Sequence, residues 1–208
     1  MIGHHPSEQT LLGYATGALP QALAIVTATH VGQCSVCQGA LGILEATGGA
    51  LLDDLPPIPL SGDALERLMA RADEPAPPPP PILHPDLPAP LNRVALGSWW
   101  PVGIGVRYRP LRMAQVAGGR SAWGGLILAQ PGRSLPRHGH KGLELTCILS
   151  GSFADAGGHY EGGDLSEPVA DHDEPPFVTG NEPCLCIIAS EGMRLRGLLG
   201  QVQRLIGR

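Results

Sequence analysis

The chain has 208 residues, 43% apolar and 16% charged, which suffices for one mid-sized domain or two small ones with a real hydrophobic core. Fourteen basic against 19 acidic residues leave a net charge of -5, the wrong sign for holding DNA by phosphate neutralisation, and 4% aromatics leave few ring platforms for single-stranded bases. There is no run of about 18 apolar residues and no basic-then-apolar leader at Met1-Ile2-Gly3-His4-His5, so a soluble cytoplasmic protein without a membrane span is expected.

The first 75 residues read as short helices. Ser7 is placed to cap a helix carrying Leu11, Leu12 and Ala15. Pro20 suits the first position of a second helix reaching about His30, with Leu23, Ala24, Val26 and Thr27 on its apolar face. A third segment runs from Ser35 through Ala40, Leu41, Leu44 and Ala50 to Leu52. A fourth begins near Ser61 or Asp63, where Asp63 and Glu66 have capping-box spacing, and Leu65, Leu68, Met69 and Ala72 form a helical stripe that reads as core. Four short helices make a thin core, so support from a metal or a partner is expected. The segment carries eight acids against Arg67 and Arg71.

Between the second and third helices lies His30-Val-Gly-Gln-Cys34-Ser-Val-Cys37. On one continuous helix these three ligand types share a face. If Gly32 breaks the helix, Cys34 and Cys37 open the next one, where the amide dipoles favour thiolates. Either arrangement presents three ligands to one ion, and zinc in a closed structural site takes a fourth, here His4 or His5. A Cys-x-x-Cys can also be a redox pair, but it lacks the βαβ setting of one. An odd cysteine count of five, with no leader, argues against a disulfide framework.

Residues 75 to 90 contain nine prolines, which excludes helix and central strand and predicts an extended linker. The chain thus divides into 1–74, a linker 75–90, and 91–208. Beyond the linker, glycine-bounded alternating runs recur at 103–109, 124–129, 143–149 and 183–188, the pattern of a small antiparallel sandwich or barrel. Within it, His138 and His140 point to one face of a strand, with Glu144 an even step further on. Two imidazoles and a carboxylate make a first-row metal site, completed from a neighbouring strand by His159 or His172. Cys184 and Cys186 share a strand face, and Cys147 lies in the motif strand. The tail from Arg194 reads equally as a short helix or a closing strand.

These residues carry two resemblances. The helical segment with its early histidine and H-x3-C-x2-C resembles the zinc-binding anti-sigma domain, a four-helix fold that packs on an extracytoplasmic-function sigma factor. The resemblance implies zinc at His5, His30, Cys34 and Cys37. Gly132 to Gly151 reads G-x5-H-x-H-x3-E-x6-G, which is similar to the first cupin motif, and Gly163-Asp164 resembles the turn of the second, although Glu161 stands where that motif has proline. This implies a zinc or other divalent ion at His138, His140, Glu144 and His172. The combination looks like the ChrR-type anti-sigma factors.

The expected architecture is therefore an all-α N-terminal four-helix domain followed by an all-β cupin. The resemblance implies a regulator, not an enzyme, that forms a 1:1 complex with a sigma factor, without direct DNA binding, and releases it on a singlet-oxygen-like signal sensed by the cupin. Leu11, Leu12, Leu23 and Leu44 would serve both core and partner interface. The competing reading is a cupin dioxygenase or isomerase with a helical zinc-binding appendage.

Overall fold

The structure, a computed structural model, describes residues 2–72, 74–113, 122–135, 138–140, 142–168 and 175–195, with the backbone course alone at 138–140 and 193–195. The first helix, α1 (Glu8–Ala15), starts where the Ser7 hydroxyl accepts a hydrogen bond from the Thr10 amide at 3.2 Å. The second, α2 (Gln21–Val31), follows Pro20, whose extended backbone places it as the cap just outside the helix, and ends at Gly32. It is apolar nearly all round and accordingly buried. After two residues Cys34 caps the third, α3 (Ser35–Asp53), and α4 (Ala64–Ala72) follows after a proline-containing turn.

Eleven strands are present among the described residues: β1 (Trp100–Gly103), β2 (Val106–Pro110), β3 (Trp123–Ala129), β4 (His138–His140), β5 (Glu144–Ser150), β6 (Ser152–Asp155), β7 (Gly158–Glu161), β8 (Leu165–Ser166), β9 (Phe177–Val178), β10 (Cys184–Ser190) and β11 (Met193–Leu195). They pair antiparallel into a six-stranded sheet, β1-β2-β3-β10-β5-β8, a three-stranded sheet, β7-β6-β9, and the ribbon β11-β4. The expected antiparallel barrel is present. The tail opens as a closing strand, β11, and residues 196–208 lie outside the described residues.

The period of two along each strand divides the large sheet into two faces. Ile127, Ala129, Ile148, Cys184, Cys186 and Ile188 face the barrel interior with Phe153, Tyr160 and Val178. Leu126, Leu145, Cys147, Ile187 and Ala189 face outward, and there they meet Ala22, Leu23 and Val26 of α2. Proline density in the sequence suggests two separable modules, yet α2 and the outer face of the cupin sheet share one hydrophobic core. Gly124 permits the approach, because a Cβ there would lie 3.2 Å from the Cβ of Ala22.

The proline-rich stretch has two halves. Residues 75–82 form neither helix nor strand and are exposed. Leu83 and His84 then donate to the carbonyl of Asn92, Leu87 packs on the shared core, and Leu91 is fully buried. Apolar side chains between the prolines anchor this second half to the barrel.

With 19 residues and a mean hydropathy of 1.2 in its best window, α3 has the length and composition of a membrane span. Its first half is engaged elsewhere: Cys37 is buried, and Ala40, Leu41 and Leu44 pack beside Leu11. The part from Glu45 to Asp53 extends about 13 Å at about 1.5 Å per residue, short of a hydrocarbon core of about 30 Å.

Candidate metal centre

Gly32 ends α2, so the second of the two helical arrangements is the one adopted. His30 projects from the last turn of α2, Cys34 caps α3, and Cys37 lies in its first turn. The fourth residue is His5, delivered by the extended segment before α1. The four ligand atoms lie within 4.8 Å of one another. His30 Nε2 is 3.3 Å from Cys37 Sγ, and His5 Nδ1 is 3.3 Å from Cys34 Sγ and 3.5 Å from Cys37 Sγ. Zinc bonds of about 2.3 Å to sulfur and about 2.0 Å to nitrogen give a tetrahedron whose mixed edges are about 3.5 Å. The donor set fits zinc, and four protein ligands leave no open position for a substrate.

His4 is not part of this cluster. Its ring lies against Tyr160, with centroids 4.4 Å apart, and its Nδ1 is 3.5 Å from a carboxylate oxygen of Asp164. Neighbouring residues of an extended segment point to opposite sides, so the same backbone sends His4 to the cupin and His5 to the cysteines.

The electrostatics call for a cation. Burial lowers the His30 ring below the ordinary value of 6.5, which keeps it neutral at pH 7. Its Nδ1–H donates to the Gly163 carbonyl at 2.8 Å, which leaves the lone pair of Nε2 facing Cys37. Burial and the neighbouring Cys34 push the Cys37 thiol up to about 12. The buried Cys37 thiol reaches its ligating form only if a divalent ion supplies the compensating charge.

The predicted cupin ligands are described less completely. Strand β4 carries His138 and His140 at alternate positions, opposite Leu195 and Met193, but their side chains and the whole of His172 lie outside the described residues. Glu144 opens β5 with 6% exposure, on the same face as Thr146 and Ile148 and hence toward the barrel interior. The other candidate, His159, is half exposed on β7 and hydrogen-bonds the Thr179 hydroxyl at 2.9 Å.

The ChrR cupin-like domain profile matches residues 92–191. The anti-sigma-E factor ChrR of Cereibacter sphaeroides is 34% identical over 197 residues, which span 91% of this chain and 90% of that protein. The chain belongs to the ChrR family of anti-sigma factors. The crystal structure of Rhodobacter sphaeroides SigE in complex with the anti-sigma ChrR matches with a TM-score of 0.78 at 33% identity, covering 91% of this chain and 100% of that one. Membership of the ChrR family makes the chain a regulator rather than an enzyme, which removes the metalloenzyme alternative.

The apolar surface of this ChrR-family chain differs from the sequence expectation. Leu23 is 0% exposed between α2 and the cupin sheet, and Leu11 is buried beside Val31, Cys34 and Cys37. Both are buried in the core of the free chain. Leu44 is partly buried against the same cluster, and Leu12 is half exposed. The stripe of α4, read from the sequence as core, is uncovered: Leu65, Leu68 and Met69 are 69%, 65% and 61% exposed. Ile43, Leu51, Leu52 and Leu55 on and after α3, with Ile58 and Leu60, are exposed as well. Periodicity had found the apolar face but could not say what covers it.

Sequence reasoning missed the groups from the cupin that hold the metal segment. Besides Gly163 on His30, the Asp164 carboxylate accepts from the amides of Gly3 at 2.8 Å and His4 at 3.1 Å. The Glu167 carboxylate accepts from the Ser7 amide and hydroxyl, both at 2.8 Å, and from the Thr10 hydroxyl at 3.0 Å. No local pattern announces these contacts, which join residues about 160 positions apart.

Proposed function

We propose that this protein is a cytoplasmic anti-sigma factor that binds an extracytoplasmic-function sigma factor 1:1 and keeps it from RNA polymerase, without contacting DNA itself. One observation carries the reading: α4 and the distal half of α3 present apolar side chains that nothing among the described residues covers. A nine-residue helix such as α4 is marginal in water on its own and gains stability from burial of its stripe. Exposed apolar side chains in such number are expected of an interaction site. The relative is named an anti-sigma-E factor, and a ChrR was crystallised with SigE.

In this reading zinc at His5, His30, Cys34 and Cys37 ties the N-terminal segment, α2 and α3 into the shape the partner recognises. Residues 1–74 form the sigma-binding module, 75–90 the linker and 91–208 the sensor. The sensor would hold a second divalent ion, zinc or another, through His138, His140, Glu144 and His172. An oxidative, singlet-oxygen-like signal received there would weaken the grip on the sigma factor. A reducing cytoplasm suits a site that needs two free thiols.

The test is co-expression with the extracytoplasmic-function sigma factors of the same genome, followed by affinity purification. The intact protein should retain one of them at equal stoichiometry, and a Leu65→Glu, Leu68→Glu variant should lose it while keeping its fold. Retention of that sigma factor by the folded double variant would overturn the assignment of the docking face.

A further inference from the structure

The metal cluster is not assembled by the helical module alone. The turn Gly163-Asp164, which leads into strand β8, touches it at two points. The Gly163 carbonyl takes the proton of His30 Nδ1, which fixes the tautomer and ring plane of one metal-facing imidazole. Asp164 takes the amides of Gly3 and His4, and the Leu165 amide donates to the carbonyl of His4, so the segment bearing His5 is laid along the β8 edge of the cupin sheet. Both histidines of the cluster are thus set by adjacent residues of a single cupin turn, whereas the two cysteines are set by α3.

The turn itself is tightly specified. Gly163 has φ +93, a conformation that L side chains rarely adopt, and a Cβ there would come within 2.7 Å of the Ile2 side chain. Asp164 is 6% exposed and closes its own turn by accepting from the Glu161 amide at 2.9 Å. Its carboxylate therefore joins three backbone amides from two parts of the chain with the His4 ring.

We infer that the Gly163-Asp164 turn positions His5 and His30 for metal binding and is a direct physical connection between the cupin and the zinc site. The inference rests on the zinc reading above. It assigns Gly163 and Asp164 a positioning role: neither touches the ion, and each acts through a histidine. Because coupling between two sites is reciprocal, a change in the cupin that shifts this turn weakens metal binding, and loss of the metal loosens the turn.

The experiment uses the full-length reduced protein and cobalt(II) as a probe, because thiolate-to-cobalt charge transfer reports a cysteine-ligated ion and is silent toward a His/carboxylate site. The Cys34→Ala, Cys37→Ala variant supplies the baseline. Zinc affinity is read by displacement of the cobalt band. Asp164→Asn should weaken zinc by about tenfold or more, within the range known for residues that orient metal ligands, and should alter the cobalt spectrum. Asp164→Glu should recover part of the loss. Asp155→Asn is the control, since Asp155 accepts from the Gly157 amide of a neighbouring turn, and it should leave affinity unchanged. Hydrogen exchange on the same protein supplies the reciprocal reading: zinc removal should speed exchange at the amides of His4 and Leu165 while the Leu126 and Ile187 amides stay protected. Unchanged zinc affinity and an unchanged spectrum in folded Asp164→Asn would overturn the inference while leaving the zinc site intact. Absence of the cobalt band from the unaltered protein would overturn the zinc reading itself, and the inference with it.

Discussion

Cys34 Sγ lies 3.3 Å from His5 Nδ1, although 29 positions separate the two residues. The contact joins an extended N-terminal segment to the start of a helix. Around it the apolar lining is thin, comprising Leu11 and Val31 with Ile2, Ala40, Leu41 and Leu44 partly buried. So small a cluster gains from an ion what it lacks in buried area.

The two adjacent histidines should therefore behave differently. His5→Ala removes a ligand and should abolish tight zinc binding. His4→Ala removes a ring that rests on Tyr160 and Asp164 and should leave metal stoichiometry at that of the unaltered protein. Elemental analysis of the two purified variants distinguishes them, and zinc retained in His5→Ala but lost in His4→Ala would reverse the ligand assignment.

Leu23 tests the shared core. It is fully buried among residues of α2 and of the cupin sheet, so Leu23→Ala should cost about 2–5 kcal/mol. Helical and cupin signals should move together in urea, because one cluster serves both modules. Two separate transitions, with the cupin unaffected by the substitution, would show that the modules fold independently.

The exposed stripe of α4 predicts the opposite pattern. Leu68→Ser should change the stability of the free protein by no more than about 0.5 kcal/mol, yet should weaken sigma-factor binding substantially. Calorimetric binding and urea midpoints on the same variant provide both readings. A large loss of stability with binding intact would mean that the stripe is covered in the free protein.

What was legible in the sequence depended on distance along the chain. His30, Cys34 and Cys37 lie within eight residues, so spacing alone brought them together, whereas the helix break at Gly32 was one of two arrangements the sequence left open. The alternating strands were legible because the period of two is local, and the shared face of Cys184 and Cys186 followed from it. The choice between His4 and His5 depended on which side of an extended segment meets the cupin; the family resemblance pointed only to the pair, with His5 favoured, and His5 is the one in the cluster. The covering of each apolar face was not legible: Leu23 and Leu68 both sit among apolar helical residues, but the first is met by a sheet built a hundred residues later and the second by nothing among the described residues. The hydrogen bond of His30 to Gly163 spans 133 positions and uses a backbone carbonyl, which any residue type possesses.

Acid should destabilise the metal-free protein through His30. Burial holds its folded pKa below 6.5, so between the two values the unfolded chain binds the extra proton. Stability is therefore full above pH 6.5 and declines as pH falls through the depressed folded value. Urea midpoints of chelator-treated protein at descending pH should show this loss, and His30→Gln should flatten the profile in that window. A profile with the same slope in His30→Gln would assign the acid sensitivity to other groups.

The central claim is that an ion held by His5, His30, Cys34 and Cys37 gives the helical module its partner-binding shape. The most direct measurement is sigma-factor affinity of the full-length protein before and after zinc is stripped under reducing conditions, with re-addition as the return step. The account predicts that binding is lost with the metal, restored with it, and absent throughout in Cys34→Ala, Cys37→Ala. Undiminished binding by protein shown to be metal-free would contradict it.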